Sequence, residues 1–200
     1  MTGPVVLALD IAKNRSGWAV GHTGMARPFW GTWSPPRDWD QKSSGGIMSH
    51  WRKFLMAKAA EHGVTYIAKE RLFVDMKDFD YNGTVPMAQL HGHVEQLVDE
   101  LGIRGGEVAI ASWRAHFLGT ARALPGLGKN QRTTWLKDQA MKRCTERNWY
   151  TTVHDEAEAL GIMDFALACL DPDYDHHVGP LARRAELQME VAKFRGGVSP

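Results

Sequence analysis

The chain opens on an apolar run, V-V-L-A-L, closed by an acid at Asp10. A run this short, β-branched at its start and ended by a charge, reads as a buried strand. S-G-W-A-V-G at 16–21 follows after a short polar loop, so the two segments pair as a hairpin. A third strand is expected around 26–33, and Pro35-Pro36 with S-S-G-G at 43–46 marks a loop. From Ile47 to His62 the period becomes helical. Ile47, Trp51, Phe54, Leu55 and Ala59 form one apolar stripe, and Gly63 stops it. V-T-Y-I-A-K-E at 64–70 is a further β-branched strand, again ending on an acid, Glu70. Residues 75–83 read as an exposed loop, Val85 to Leu101 as a helix closed by Gly102, and E-V-A-I-A-S-W at 107–113 as another strand. A glycine- and arginine-rich loop leads to a helix from about 130 to 147. H-D-E-A-E-A-L at 154–160 then starts a helix that runs through Leu170. After the polar break D-P-D-Y-D-H-H, a last amphipathic helix is expected from Pro180 to Phe194.

Three strands, then helix, strand, helix, strand, helix, helix argue an α/β fold with a mixed sheet. The order suits one domain over 1–170 with a C-terminal extension over 171–200, and 200 residues are enough to bury a real core. No run of about 18 apolar residues occurs, so no membrane span is expected. The N-terminal stretch lacks the basic region of a signal peptide. Cys144 and Cys169 alone cannot build a disulfide framework or a zinc knuckle, and a reducing, cytosolic setting is expected.

Charge changes the picture locally. The net charge is only +1, yet residues 111–150 carry eight bases against Asp138 and Glu146. That region fits an anionic partner or, equally, a solvated lysine-rich helix face.

The acids matter more. Asp10 and Glu70 end strands, and Asp155 and Glu158 open a late helix three residues apart, on one face. An acid in a first turn also simply suits the helix dipole. If the strands bearing Asp10 and Glu70 are parallel neighbours, both carboxylates emerge at one sheet edge, where a packed helix would add the other two. Four carboxylates that close resist ionising together unless cations sit between them. An all-oxygen set suits Mg²⁺, with Mn²⁺ as substitute, and two such ions can hydrolyse a phosphodiester. Other motifs carry less. G-L-G-K-N at 126–130 lacks the earlier glycine (Ala123) and the hydroxyl after the lysine (Asn130) of a phosphate loop. The pairs His91/His93 and His176/His177 could bind metal but, without a nearby cysteine or third ligand, read as surface. Phe73, Phe79 and Tyr81 flank the loop after Glu70, where an aromatic suits stacking on an unpaired base or packing beneath the loop.

Taken together, A-L-D-I-A-K-N-R-S-G-W-A-V-G, I-A-K-E-R-L-F and H-D-E-A-E-A-L-G-I resemble the three motifs of RuvC-type Holliday junction resolvases, a branch of the RNase H-like nucleases. The order agrees over residues 5–170. The resemblance implies an RNase H-like fold with a five-stranded mixed sheet flanked by helices. It implies that Asp10, Glu70, Asp155 and Glu158 bind two Mg²⁺ ions and cut four-way or related branched DNA. It places Phe73 against bases, and Lys129 and Arg114 near DNA, with Arg132 and Lys137 in the same basic stretch. It also implies a homodimer formed through the helix around 86–101. The chain departs from the pattern in lacking a glycine soon after Asp10 and in carrying glutamate at 158 where aspartate is usual. His154 is set aside as a bystander, because the D-x-x-E spacing selects Asp155. A nuclease for flaps, forks or RNA–DNA hybrids and a branched-DNA-binding module without catalysis are the alternatives. A nucleotide-binding protein of the actin-like fold is disfavoured by the missing glycine-rich loop.

Overall fold

A computed structural model describes residues 3–36, 44–73, 80–171 and 174. The expected helix at 180–194, His176, His177 and Phe79 lie outside the described residues. The elements are β1 (Val5–Asp10), β2 (Ser16–His22), β3 (Phe29–Trp33), α1 (Ser44–His62), β4 (Tyr66–Glu70), α2 (Tyr81–Glu100), β5 (Arg104–Val108), α3 (Ile110–Leu118), α4 (Lys129–Glu146) and α5 (His154–Leu170). The five strands make one sheet in the order β3-β2-β1-β4-β5. β1, β2 and β3 form an antiparallel meander, whereas β4 runs parallel to β1 and β5 parallel to β4.

Strand alternation sorts side chains onto two cores. Leu7, Leu9, Val20 and Ile67 face α1 and α2, where Trp51, Leu55, Leu90, Val94 and Leu97 are buried. Val6, Ala8, Ala19 and Ala68 face α3, α4 and α5. The alanines on this second face let α5 lie close. α5 accordingly buries Ala157, Ala159, Leu160, Ile162, Met163, Ala166 and Leu167, all round rather than along one stripe, as befits a helix whose middle is enclosed between the sheet, α3 and α4.

Two sequence expectations need correcting. The strand expected at 107–113 is two elements: β5 ends at Val108, and Ile110 already begins α3. Trp113 and Phe117, four apart, are both buried on one face of that helix, so the helical period wins over strand alternation. β5 instead begins earlier, through Gly105 and Gly106, whose low strand preference hid it. The other correction is at α2, which starts at Tyr81 rather than Val85. Asp80 caps it, accepting from the Asn82 amide at 3.0 Å.

Candidate active site

β1 and β4 pair in parallel through Leu9 opposite Lys69, so the next residues, Asp10 and Glu70, leave neighbouring strands side by side. Alternation puts Asp10 on the face of Val6 and Ala8, and Glu70 on that of Ala68, which is the α5 side. The opposite strand β2 sets Gly17 against Asp10. A Cβ at Gly17 would fall 1.9 Å from the carbonyl oxygen of Asp155, so only glycine lets the first turn of α5 rest on the end of the hairpin. Asp10, Asp155 and Glu158 thereby present oxygens within 4.8 Å of one another. The longer stem of Glu158 reaches that point.

Glu70 stands just outside this trio. Its Oε2 accepts from the indole Nε1 of Trp113 at 2.8 Å. Trp113 is fully buried, seated where a Cβ on Gly161 of α5 would meet its ring at 2.8 Å. Sequence reading missed Trp113, taking it for the end of a strand. His154 turns away to Asp138 (3.3 Å), and Glu156 accepts from Thr151 at 2.5 Å, so neither joins the trio.

The acids shape each other's ionisation. Burial pushes the Asp10 carboxyl well above the usual range, and Glu158, Glu70 and Asp155 push it further. Burial also raises Glu70, only partly offset by the Trp113 hydrogen bond. Three cations answer them. Arg114 Nη2 donates to Glu158 Oε1 at 2.7 Å. Lys137 Nζ lies 3.3 Å from Glu158 Oε2 and 3.7 Å from Asp155 Oδ1. Arg15 Nε donates to Asp155 Oδ2 at 2.5 Å. Burial alone would lower the Lys137 ammonium, but Glu158, Asp155 and Asp10 outweigh it and hold it above its ordinary value. A trio of hard carboxylate oxygens, with Glu158 buried, Asp10 and Asp155 half-buried, and Asp10 reluctant to ionise, fits a divalent cation such as Mg²⁺ or Mn²⁺.

The residues expected to meet nucleic acid divide. Phe73 is 85% exposed, three residues beyond Glu70. Lys129 and Arg132 are exposed at the start of α4, and Arg132 Nε donates to the Leu127 carbonyl at 2.7 Å. Arg114 and Lys137 turn inward to the acids. Two more bases of the 111–150 stretch are internal: Arg143 donates to the Phe117 carbonyl at 3.1 Å, and Arg147 pairs with buried Asp164 at 2.5 Å. The surface of that stretch is thus less basic than its sequence. His91, expected at the surface, is instead buried on α2 against Lys69, and that burial and charge push it down to about 4, so its ring is neutral at pH 7. α2, the helix of the expected dimer contact, lines a cleft of about 530 Å³ with α1, through Gln89, Gly92, His93 and Gln96.

Trp113→Phe keeps the ring but removes the donor to Glu70. If Glu70 works ionised in a reaction at this site, the acid limb of its pH–rate profile should move up, because the bond that favours the charged form is gone. An unmoved limb would show that the indole does not tune Glu70.

No protein-family model matches the sequence, and no curated protein matches it. Solved structures do match by shape. The Thermus thermophilus RuvC structure aligns with a TM-score of 0.59 at 11% identity, covering 80% of this chain and 90% of that one. T. thermophilus RuvC in complex with Holliday junction substrate gives 0.56 at 11% identity, with the same coverage. The yeast mitochondrial Holliday junction resolvase Ydc2 gives 0.54 at 10% identity, covering 96% of this chain and 85% of that one. The five-stranded mixed sheet flanked by helices, shared with these structures, gives this chain the RNase H-like fold of the RuvC-type Holliday junction resolvases.

Proposed function

We propose that the chain is a divalent-metal-dependent endonuclease that resolves four-way junctions or related branched DNA. The observation that carries this reading is the convergence of Asp10, Asp155 and Glu158 within 4.8 Å, at the edge where two parallel strands end. The shared fold with junction resolvases supports it. Asp10, Asp155 and Glu158 would hold the metal, with Glu70 beside them. Mg²⁺ or Mn²⁺ there would supply an activated water and charge stabilisation at the leaving oxygen of the phosphodiester.

The rest falls to the chain's own groups. Trp113 holds Glu70 by one oxygen and leaves the other free to orient a water. Lys129 and Arg132, exposed at the head of α4, suit the phosphate backbone, so binding should weaken with salt. Phe73, nearly bare beside the acids, suits stacking on an unpaired base. The products would be a 5′-phosphate and a 3′-hydroxyl. A two-fold dimer through α2 would set two sites on opposed strands and pair the nicks.

The test is a substrate panel of four-way junction, fork, flap, linear duplex and RNA–DNA hybrid, each with Mg²⁺, Mn²⁺ or EDTA. The reading expects symmetric nicks in the junction, lost in EDTA. Preference for the hybrid would move the substrate assignment. One observation favours a second reading, a branched-DNA-binding module without catalysis: Arg15, Arg114 and Lys137 neutralise Asp155 and Glu158 by themselves. Junction binding without cutting in either metal would favour it.

A further inference from the structure

Every oxygen of Asp155 and Glu158 has a cationic neighbour. Asp155 Oδ2 takes Arg15 at 2.5 Å and Oδ1 faces Lys137 at 3.7 Å. Glu158 Oε1 takes Arg114 at 2.7 Å and Oε2 faces Lys137 at 3.3 Å. A divalent cation at these carboxylates competes with all three side chains for the same oxygens and is repelled by their charge.

The three are not equally free to leave. The Arg114 side chain is 14% exposed, and its guanidinium lies 5.2 Å from the Trp113 ring centre. Lys137 is 30% exposed and shared between both acids. Arg15 is 50% exposed, bonds to Asp155, and projects from the β1–β2 turn. The backbone of that turn is clamped: the Ser16 hydroxyl donates to the Ala12 carbonyl at 3.0 Å and accepts from the Ala12 amide at 3.1 Å. The side chain can therefore move while the turn stays. With the most exposed side chain of the three, Arg15 gives up the least burial when it leaves its acid. A guanidinium released beside bound metal and DNA has one well-matched partner, a phosphate, whose oxygens fit its fork.

We propose that Arg15 is a phosphate-binding residue of this site, stored on Asp155 in the free protein and passed to a DNA phosphate when a divalent cation takes Asp155. It rests on the nuclease site proposed above. Asp155 then reads as an exchange point rather than a fixed strut partner, and the β1–β2 turn as part of the DNA-binding surface. Nothing in the first motif marks Arg15 in advance, since its partner lies 140 residues away in the chain.

The experiment compares wild type, Arg15→Ala and Arg15→Lys in three readouts: Mn²⁺ binding by calorimetry without DNA, thermal melting, and anisotropy of a labelled four-way junction in EDTA and in Ca²⁺. Arg15→Ala should bind Mn²⁺ about threefold or more tightly, because a competitor is gone. It should weaken junction binding about tenfold in Ca²⁺ and by less than about threefold in EDTA, with partial recovery in Arg15→Lys. Mn²⁺ affinity that is unchanged or lower overturns the proposal, and a matching fall in melting temperature would identify Arg15 as a strut for α5. Equal loss of junction binding in EDTA and Ca²⁺ also overturns it. If wild type binds junctions but cuts none, the nuclease reading fails while the Mn²⁺ and binding readouts still decide the role of Arg15.

Discussion

Asp10→Asn should melt at a higher temperature than the wild-type protein when both are free of metal. Burial and three neighbouring acids hold the Asp10 carboxyl well above its ordinary range, so its charged form strains the folded state. The sign follows from linkage. An acid whose folded pKa is raised binds its proton more tightly folded than unfolded, so stability declines as pH rises from the ordinary aspartate value to the raised one. Above that window the full penalty stands. The asparagine carries no charge at any of these pH values and escapes it. The expected gain at neutral pH is on the order of 1 kcal/mol, or roughly 2–4 °C for a chain of this size. The curves should converge near pH 4. Adding Mg²⁺ or Mn²⁺ should reverse the order, because ligand binding stabilises the protein that binds it and Asp10→Asn would lack one carboxylate of the proposed metal site. Melting curves with metal and with EDTA, across pH 4–8, check both halves. An Asp10→Asn protein less stable than wild type in EDTA would show that Asp10 is a structural residue first.

Asp164→Ala should be strongly destabilising although Asp164 lies away from the site. Asp164 lies six residues, a little under two turns, beyond Glu158 on α5 and is fully buried. Its carboxylate takes Arg147 at 2.5 Å, His116 at 3.0 Å and the Tyr174 hydroxyl at 2.6 Å. It therefore ties α5 to α3, to the end of α4 and to the chain beyond α5. Burial alone would push this carboxyl up, but His116, Arg147 and Tyr174 outweigh it and hold it below the usual range. Removing it leaves the Arg147 guanidinium buried without its carboxylate, a loss of about 3–5 kcal/mol. The pH dependence runs opposite to that of Asp10. A lowered folded pKa gives stability that is present above the ordinary aspartate value and is lost as pH falls through the depressed one. The wild type should thus lose this contribution only in strong acid, and Asp164→Ala should show a shallower acid transition. Urea unfolding at pH 7 and at pH 3 measures it. A loss under about 1 kcal/mol at pH 7 would contradict the role given to this cluster.

The four acids were legible because each sits where an element begins or ends. Period-2 alternation and the apolar runs placed Asp10 and Glu70 at strand ends, and D-x-x-E spacing put Asp155 and Glu158 on one helix face. What brings them together was less visible. Gly17 looked like an ordinary strand glycine, yet it is the seat of the first turn of α5. Trp113 was hidden by the Gly105-Gly106 pair and by the shift from strand to helix at Ala109. The basic stretch was overread for a different reason. Arg143 and Arg147 sit in a polar helix pattern, and Arg143 has a local partner in Glu146 at 3.2 Å, but the groups that draw them inward, the Phe117 carbonyl and Asp164, come from other helices that no local pattern reveals. Lys69 behaves likewise: it reads as a polar position of β4 but is buried between Glu95 (2.9 Å) and Glu107 (2.7 Å).

The most direct measurement is cleavage of a labelled four-way junction in Mg²⁺ by wild type and Asp10→Asn, with folding of the variant verified by its melting curve. Wild type should nick opposed strands symmetrically, and Asp10→Asn should lose about a thousandfold or more in rate while still binding the junction. Cutting by Asp10→Asn at the wild-type rate would contradict a metal centre built on Asp10, Asp155 and Glu158.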